Sequence, residues 1–217
     1  MRVRESEFSF KEEIANSIVH GLGLVLAIVG VVVLLVYASL KGDALHIVSV
    51  SIFGASLLLL YGSSTLYHSI PNARVKRVLE RCDLIAIYLL IAGSYTPILL
   101  VNLRGPWGWS IFGVVWGIAA LGIAFQFSIM KGKEAVRVAS YVGMGWMMML
   151  MIKPLFEAIE IVGFLLIVAG GLAYTGGIVF YIWNKLPYNH AIWHAFVLAG
   201  SAFHYFAILL YLAPPAA

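Results

Sequence analysis

Long apolar runs, separated by short polar breaks, constrain the fold of this chain more than any other feature of its sequence. An α-helix needs about 20 apolar residues to cross the hydrocarbon core of a bilayer. Of the 217 residues, 62% are hydrophobic and 11% are charged, whereas soluble globular proteins carry about 25% charged residues. The sequence therefore predicts an all-α membrane protein, formed as a single domain over residues 1–217.

Seven of these runs are long enough to be transmembrane helices, and the fifth is the shortest of them. Each run ends in a break that contains Gly, Pro or charged residues, which commonly interrupt helices. One such break is Lys153-Pro154, where we expect the fifth helix to end. The predicted spans are 14–40, 45–68, 82–103, 107–130, 136–152, 161–183 and 190–212.

The basic residues predict how the helices are oriented. Lys and Arg number 11 at the N-terminus and in the breaks on the same side of the membrane, and 3 on the opposite side. The positive-inside rule therefore predicts a cytoplasmic N-terminus and an outside C-terminus in a cell membrane. Because these charges are scattered among short loops, we expect no nucleic-acid partner. Residues 1–13 mix both charge signs and precede a long apolar run without a cleavage site, so we expect a retained first helix rather than a signal peptide.

Six histidines stand out in this apolar chain. An ionisable side chain at membrane depth is costly, so its presence favours a functional role. His46 begins the second predicted span on the outer side, and we expect it to lie apart from the others. The remaining five are His20, His68, His190, His194 and His204.

The pair His190 and His194 predicts a metal site. Residues four apart lie on one face of a helix, one turn above the other. His68 ends the second span and Asp83 opens the third, so both are predicted on the same side of the membrane as the pair. Neutral imidazoles with an oxygen ligand are typical of zinc, and three protein ligands with an open fourth position are typical of catalytic zinc. Ser64, one turn before His68, adds a hydroxyl to this group.

Simpler interpretations stay open for these residues. A histidine near a helix end is often interfacial or hydrogen-bonded, Asp83 can pair with Arg77 or Arg81, and the Ser64 hydroxyl can bond a carbonyl one turn back. Imidazole also suits iron, copper and nickel, and a mixed set with a carboxylate can hold manganese. Cys82 is the only cysteine, which excludes a cysteine-rich zinc site.

A second polar group is predicted to support the metal ligands. Glu12, Asn16 and His20 are spaced by four at the start of the first span, so they share one helix face on the side of the histidine pair. We expect them to act through hydrogen bonds to the ligands, although Glu12 can equally be a solvated carboxylate of the first turn. His204 follows His194 by ten residues and should therefore lie about 15 Å deeper in the membrane. It has either a supporting role or an interhelical hydrogen bond.

At these residues the chain resembles the haemolysin III family, the bacterial branch of the progestin and adipoQ receptor proteins. It is similar, more distantly, to the alkaline ceramidases. The similarity covers about residues 11–212. Its motifs are Glu12-x-x-x-Asn16-x-x-x-His20, Ser64-x-x-x-His68 followed by Asp83, and His190-x-x-x-His194 followed by His204.

The resemblance implies a seven-helix fold with a cytoplasmic N-terminus. It implies one zinc ion held by His68, His190 and His194, with Asp83 near the water on the zinc and Ser64 beside the reacting centre. By analogy with the ceramidases, it also implies a lipid amide or ester as the substrate. A zinc-dependent hydrolase of membrane lipid is therefore the leading hypothesis.

Two other functions are compatible with the sequence. A pore-forming cytolysin should carry polar stripes along whole helices, whereas the polar residues here gather at one depth. A zinc-stabilised sensor or receptor would require a closed site with four ligands. Gly113 and Gly117 form a GxxxG motif, which permits a homo-oligomer.

Overall fold

The computed structural model describes residues 8–126, 128 and 133–212. Within these ranges it contains seven helices that are long and apolar enough to cross a membrane, and no strand. The prediction of an all-α, multi-pass membrane protein is therefore confirmed, whereas the orientation of its termini stays a prediction. The helices are α1 (Phe10–Lys41), α2 (Ala44–Ser69), α3 (Ala73–Asn102), α4 (Pro106–Gln126), α5 (Glu134–Ala158), α6 (Ile161–Ile182) and α7 (Asn189–Tyr211).

Some of the sequence-based predictions fall outside the described residues. The fourth predicted span runs beyond Gln126 to residue 130, and of that end only Ser128 is described. Among the basic residues used to predict the orientation, Arg2, Arg4 and Lys131 also lie outside.

Polar side chains fix the starts of the first three helices. Ser9 and Glu12 form a capping box at α1, in which each side chain accepts a hydrogen bond from the other residue's backbone N–H. Asp43 caps α2 by accepting a bond of 2.9 Å from the backbone N–H of His46, and Asn72 caps α3. These caps satisfy backbone donors that a helix start leaves without an intrahelical partner.

Two of the predicted boundaries are wrong. α3 begins at Ala73 rather than at residue 82, because Asn72 caps it there and the basic residues that follow continue the helix beyond its apolar part. α5 continues through Lys153-Pro154 to Ala158. Pro154 is tolerated because it lies in the first turn of an α-helical segment that follows a 3-10 stretch. A residue in a first turn needs no partner for its N–H, which proline lacks.

Glycines allow α6 and α7 to approach each other closely. A Cβ atom at Gly170 in α6 would collide with the imidazole of His204, and one at Gly200 in α7 would lie 2.9 Å from the ring of Tyr174. At Gly113 and Gly117, by contrast, a Cβ atom would meet no described atom within 4 Å. The GxxxG motif of α4 therefore faces away from the described part of the bundle, and a homo-oligomer stays a prediction.

The helix packing gathers polar side chains inside a bundle whose outer surface is apolar. α1 exposes Val25, Val29 and Val32, as a helix in contact with lipid is expected to do. α1 packs against α2 and α7, and α2 also packs against α3. Since successive spans alternate in direction, α1, α3 and α7 run one way and α2 runs the other way. The starts of α1, α3 and α7 and the end of α2 therefore meet at one end of the bundle.

Candidate metal centre

Three histidines from two helices converge at this end of the bundle. His68 lies in the last turn of α2, and His190 and His194 lie in the first two turns of α7. One ring nitrogen of each lies within 4.8 Å of one ring nitrogen of the other two. His68 and His194 are buried, while His190 is partly exposed. The three side chains could therefore hold a metal ion.

The facing nitrogens of two of these histidines fit a shared ion. The Nε2 atoms of His68 and His194 are 3.2 Å apart. Two nitrogens that bind one tetrahedral zinc ion at about 2.0–2.1 Å stand about 3.3 Å from each other. Two bare imidazole lone pairs at this separation would repel each other, so either a proton or a cation must lie between them. A metal ion satisfies both rings at once.

Glu13 orients the first of these ligands. Its Oε2 lies 2.6 Å from Nδ1 of His68, and its Oε1 lies 2.8 Å from Nζ of Lys76. A neutral imidazole that donates its Nδ1 proton to a carboxylate presents the Nε2 lone pair to a metal. The amide of Asn16 lies alongside, with Nδ2 at 3.4 Å from the same Nδ1. Glu13 is buried, and it is a site residue that the sequence analysis missed.

Glu12, the carboxylate predicted to support the ligands, has a different position. It caps α1 with Ser9, and its Oε1 accepts a hydrogen bond of 3.2 Å from the backbone N–H of Tyr188. Tyr188 has a left-handed backbone with φ of 59° and immediately precedes α7. Glu12 therefore accepts a hydrogen bond from the backbone that leads into α7, while Glu13 contacts a histidine side chain directly.

His20 lies next to the three-histidine group without belonging to it. Its ring lies against that of His194 at a tilt of 39°, with 3.6 Å between centroids, and meets the ring of Tyr61 edge-on at 5.2 Å. His20 is buried, and neither of its ring nitrogens has a hydrogen-bond partner among the described residues. It shapes the wall behind His194 rather than adding a fourth nitrogen to the cluster of three.

Ser64 and Asp83 form a polar pair, in which Ser64 lies one helical turn from His68. Ser64 is buried one turn before His68, and its hydroxyl lies next to the carboxylate of Asp83 in α3. The oxygen of Ser64 makes no hydrogen bond of ordinary geometry in the described structure. Its neighbours Ser63 and Thr65, by contrast, donate to carbonyls one turn back. Asp83 is not a member of the three-histidine group.

Several buried polar atoms around the histidines lack a partner among the described residues. Buried polar groups are nearly always hydrogen-bonded, to protein, water or a bound ion. A concentration of unpartnered ones at a single place is therefore typical of a binding site. The atoms are Oδ1 of Asn16, both ring nitrogens of His20, the hydroxyls of Tyr61 and Ser64, and Nδ1 of His194.

The two remaining histidines lie away from this centre. His204 is deeper in α7, where its Nε2 lies 3.2 Å from the backbone carbonyl of Ile167 in α6. That contact is the interhelical hydrogen bond considered from the sequence. His46 is at the opposite end of the bundle, behind the Asp43 cap of α2. There Asp43 forms an ion pair of 2.5 Å with Arg104.

Comparisons with known proteins give one consistent result. A family described as Haemolysin-III related matches residues 8–205. The chain is 46% identical over 206 residues to Hemolysin-3 of Bacillus cereus, covering 95% of this chain and 94% of that protein. It is 48% identical over 204 residues to the Hemolysin-3 homolog of Bacillus subtilis (strain 168), covering 94% and 96%. It is 31% identical over 207 residues to the Monocyte to macrophage differentiation factor of Homo sapiens, covering 93% and 84%.

Proposed function

This chain belongs to the Haemolysin-III related family, and from its histidine cluster we propose that it is a zinc-dependent hydrolase of a lipid amide or ester bond. The observation that carries the proposal is the convergence of His68, His190 and His194, with the Ser64–Asp83 pair reaching the turn of α2 that precedes His68. A metal site alone would serve a structural role equally well. A carboxylate with a neighbouring hydroxyl adds groups that can serve as a general base and as a hydrogen-bond donor in hydrolysis.

Zinc is the metal that this set of ligands favours. Three imidazoles form a common zinc set, and the single cysteine, Cys82, is exposed and lies outside the cluster. The carboxylate of Glu13 behind His68 is the arrangement usual for zinc-bound histidines. A zinc ion bound there would act as a Lewis acid and would lower the pKa of a water molecule at its open position.

The neighbouring side chains supply the proton transfer and the hydrogen bonding. The carboxylate of Asp83 accepts a proton from the attacking water and passes it to the leaving group. The hydroxyl of Ser64, next to Asp83, donates a hydrogen bond to the carbonyl oxygen as negative charge develops on it. Asp83 needs to be a base rather than a metal ligand for this role, and its exclusion from the three-histidine group supports that.

The position of the site favours a lipid substrate. The histidines lie within one or two turns of the ends of α2 and α7, which places them near the boundary between the hydrocarbon core and the headgroups. The amide and ester carbonyls of membrane lipids stand at this boundary. With the predicted orientation of the chain, the substrate comes from the cytoplasmic leaflet.

Metal analysis combined with a lipid panel tests the proposal. We expect purified protein to contain about one zinc per chain and to hydrolyse at least one lipid amide or ester in mixed micelles. His194→Ala should lose both the zinc and the turnover, whereas the matched histidine variant His46→Gln, at the other end of the bundle, should keep both. Zinc-free purified protein that hydrolyses the lipid, or undiminished turnover by His194→Ala, would refute the proposal.

The names of the bacterial relatives favour lysis as a second candidate function. A cytolysin would release a dye from protein-free liposomes without consuming their lipid. The same His194→Ala variant separates the two functions. Leakage that persists in this variant, with no lipid hydrolysed by either protein, would favour a pore over an enzyme.

A further inference from the structure

The single arginine of α5, Arg137, is half-buried and has no role in the proposed chemistry. We propose that Arg137 binds the phosphate of a membrane phospholipid whose acyl ester lies at the histidine cluster. The inference deepens the proposed function, on which it rests, by giving the substrate class: a phospholipid rather than a neutral lipid.

Arg137 is buried to an extent unusual for a charged residue at a helix start. It lies in the first turn of α5, and its side chain is 16% exposed, whereas that of Glu134 one turn before is 63% exposed. A guanidinium group keeps its positive charge under all physiological conditions. Such a charge in a partly dehydrated place requires a counterion or several hydrogen-bond acceptors.

The described neighbours of Arg137 meet this requirement only in part. The carboxylate of Glu134 is 4.0 Å from Nη2 of Arg137 and accepts a hydrogen bond from the hydroxyl of Tyr181, which also contacts the guanidinium of Arg137. Nε of Arg137 is buried and has no hydrogen-bond partner among the described residues. The edge of the guanidinium that carries Nε is therefore the part that we expect to bind an acceptor with two oxygens.

Two tyrosines connect the surroundings of Arg137 to the histidine cluster. The ring of Tyr181 lies 5.9 Å from that of His190, between centroids, and its hydroxyl reaches Glu134. The hydroxyl of Tyr141, one turn beyond Arg137, donates a 3.0 Å bond to the carbonyl of Leu84, the residue after Asp83. Through these tyrosines, Arg137 lies at the same end of the bundle as His190 and Asp83.

The positive charge of the guanidinium and its position near the start of a transmembrane helix determine which kind of ligand fits it. Arginine binds phosphate with two parallel hydrogen bonds, and this pairing is preferred where the site is partly dehydrated. The phosphates of a bilayer stand at the level where the transmembrane helices end, just outside the ester carbonyls. A phospholipid can therefore place its phosphate at Arg137 and an ester carbonyl nearer the histidines at the same time.

Binding measurements test this without relying on turnover. The probe is an ether-linked phosphatidylglycerol, which has no ester to hydrolyse, titrated into the zinc-loaded full-length protein in detergent and followed by thermal stability. Arg137→Gln should bind it about tenfold more weakly than wild type, as expected for the loss of one charge-assisted contact. Arg74→Gln, which removes an exposed arginine at the same end of the bundle, should bind like wild type.

The ligand's headgroup is tested with three further probes. Ether-linked diacylglycerol, which lacks the phosphate, should bind as weakly to wild type as the phospholipid binds to Arg137→Gln. If inorganic phosphate alone competes at similar concentrations, the source is a soluble phosphate and the lipid assignment is wrong. If oleate binds as tightly as the phospholipid and depends equally on Arg137, the site recognises a carboxylate and the assignment is also wrong.

A second variant keeps the proposal falsifiable if Arg137→Gln does not fold. Arg137→Lys retains the charge but not the two parallel donors, so it should bind the phospholipid several-fold more weakly than wild type. Equal affinity of wild type and of either Arg137 variant overturns the proposal. Phospholipid binding that depends on Arg137 in a protein that hydrolyses nothing would refute the proposed hydrolase and leave the phosphate site intact.

Discussion

The Nδ1 atom of His68 lies 2.6 Å from Oε2 of Glu13, so a carboxylate on α1 fixes the orientation of a histidine on α2. The two residues are 55 positions apart in the chain. This contact ties the geometry of the candidate metal centre to the packing of α1 against α2, and not only to the helices that supply the ligands.

Replacing Glu13 should weaken metal binding without removing a ligand. Glu13→Gln no longer accepts the Nδ1 proton of His68 as a carboxylate, and we expect the zinc affinity to fall about 10–100-fold. Competition with a chromogenic chelator measures it. Glu12→Gln is the matched control, since glutamine also completes a capping box, and its zinc affinity should stay near that of wild type. Equal losses in the two variants would contradict a specific role for Glu13.

Asp83 should be needed for turnover and dispensable for metal binding. Asp83→Asn removes the proton acceptor, and we expect kcat to fall by about 10²–10⁴-fold while the zinc content stays unchanged. Zinc analysis and lipid turnover on the same preparation check both. A variant that loses its zinc would show instead that Asp83 is a ligand, and would favour a closed, structural site.

The far end of the bundle should contribute a pH-dependent part of the stability. The backbone N–H of His46 and the side chain of Arg104 hold the pKa of Asp43 below its ordinary value. A lowered pKa in the folded state stabilises the fold above the ordinary carboxyl pKa of about 3.9, and this stabilisation is lost as the pH falls through the folded-state pKa. Asp43→Asn, which retains a capping side chain, should therefore melt below wild type at pH 7.

The difference in melting temperature between wild type and Asp43→Asn should narrow as the pH falls below about 4. Glu160→Gln is the control, because the side chain of Glu160 makes no capping hydrogen bond at the start of α6. It should show no such narrowing. A difference for Asp43→Asn that is constant from pH 7 to pH 3 would show that the charge of Asp43 has no part in it.

Close packing of α6 on α7 should be sensitive to a single methyl group. In Gly170→Ala the new Cβ would collide with the imidazole of His204, so we expect a loss of about 1–3 kcal/mol in the free energy of unfolding. Gly113→Ala adds the same methyl group where no described atom lies within 4 Å, and it should be neutral. Denaturant titration in mixed micelles compares the two, and equal stability would argue against this packing.

The fold was largely predictable, because apolar length determines where a helix crosses a membrane. The two wrong boundaries have local causes that hydropathy does not detect. The start of α3 depends on the Asn72 cap and on a polar first part of the helix. The continuation of α5 past Lys153 depends on where a proline falls relative to a helix turn.

The sequence was sufficient to predict which helix ends meet at the candidate site. It was not sufficient to predict which side chains point into it. Alternating spans already place His68 on the same side of the membrane as His190 and His194. Spacing could not distinguish Glu12 from Glu13, because positions three and four apart both share a helix face. Glu13 precedes Asn16 by three residues and His20 by seven, which was the available signal. Arg137 has no comparable spacing to any other site residue.

The separation of the three histidines along the chain has a consequence for how the protein is made. His68 and His194 are 126 residues apart, and four helices are synthesised between the end of α2 and the start of α7. A nascent chain therefore carries only one of the three imidazoles until α7 has been synthesised. The candidate metal centre is therefore complete only once the last helix has packed into the bundle, so the proposed zinc ion would be bound late in folding.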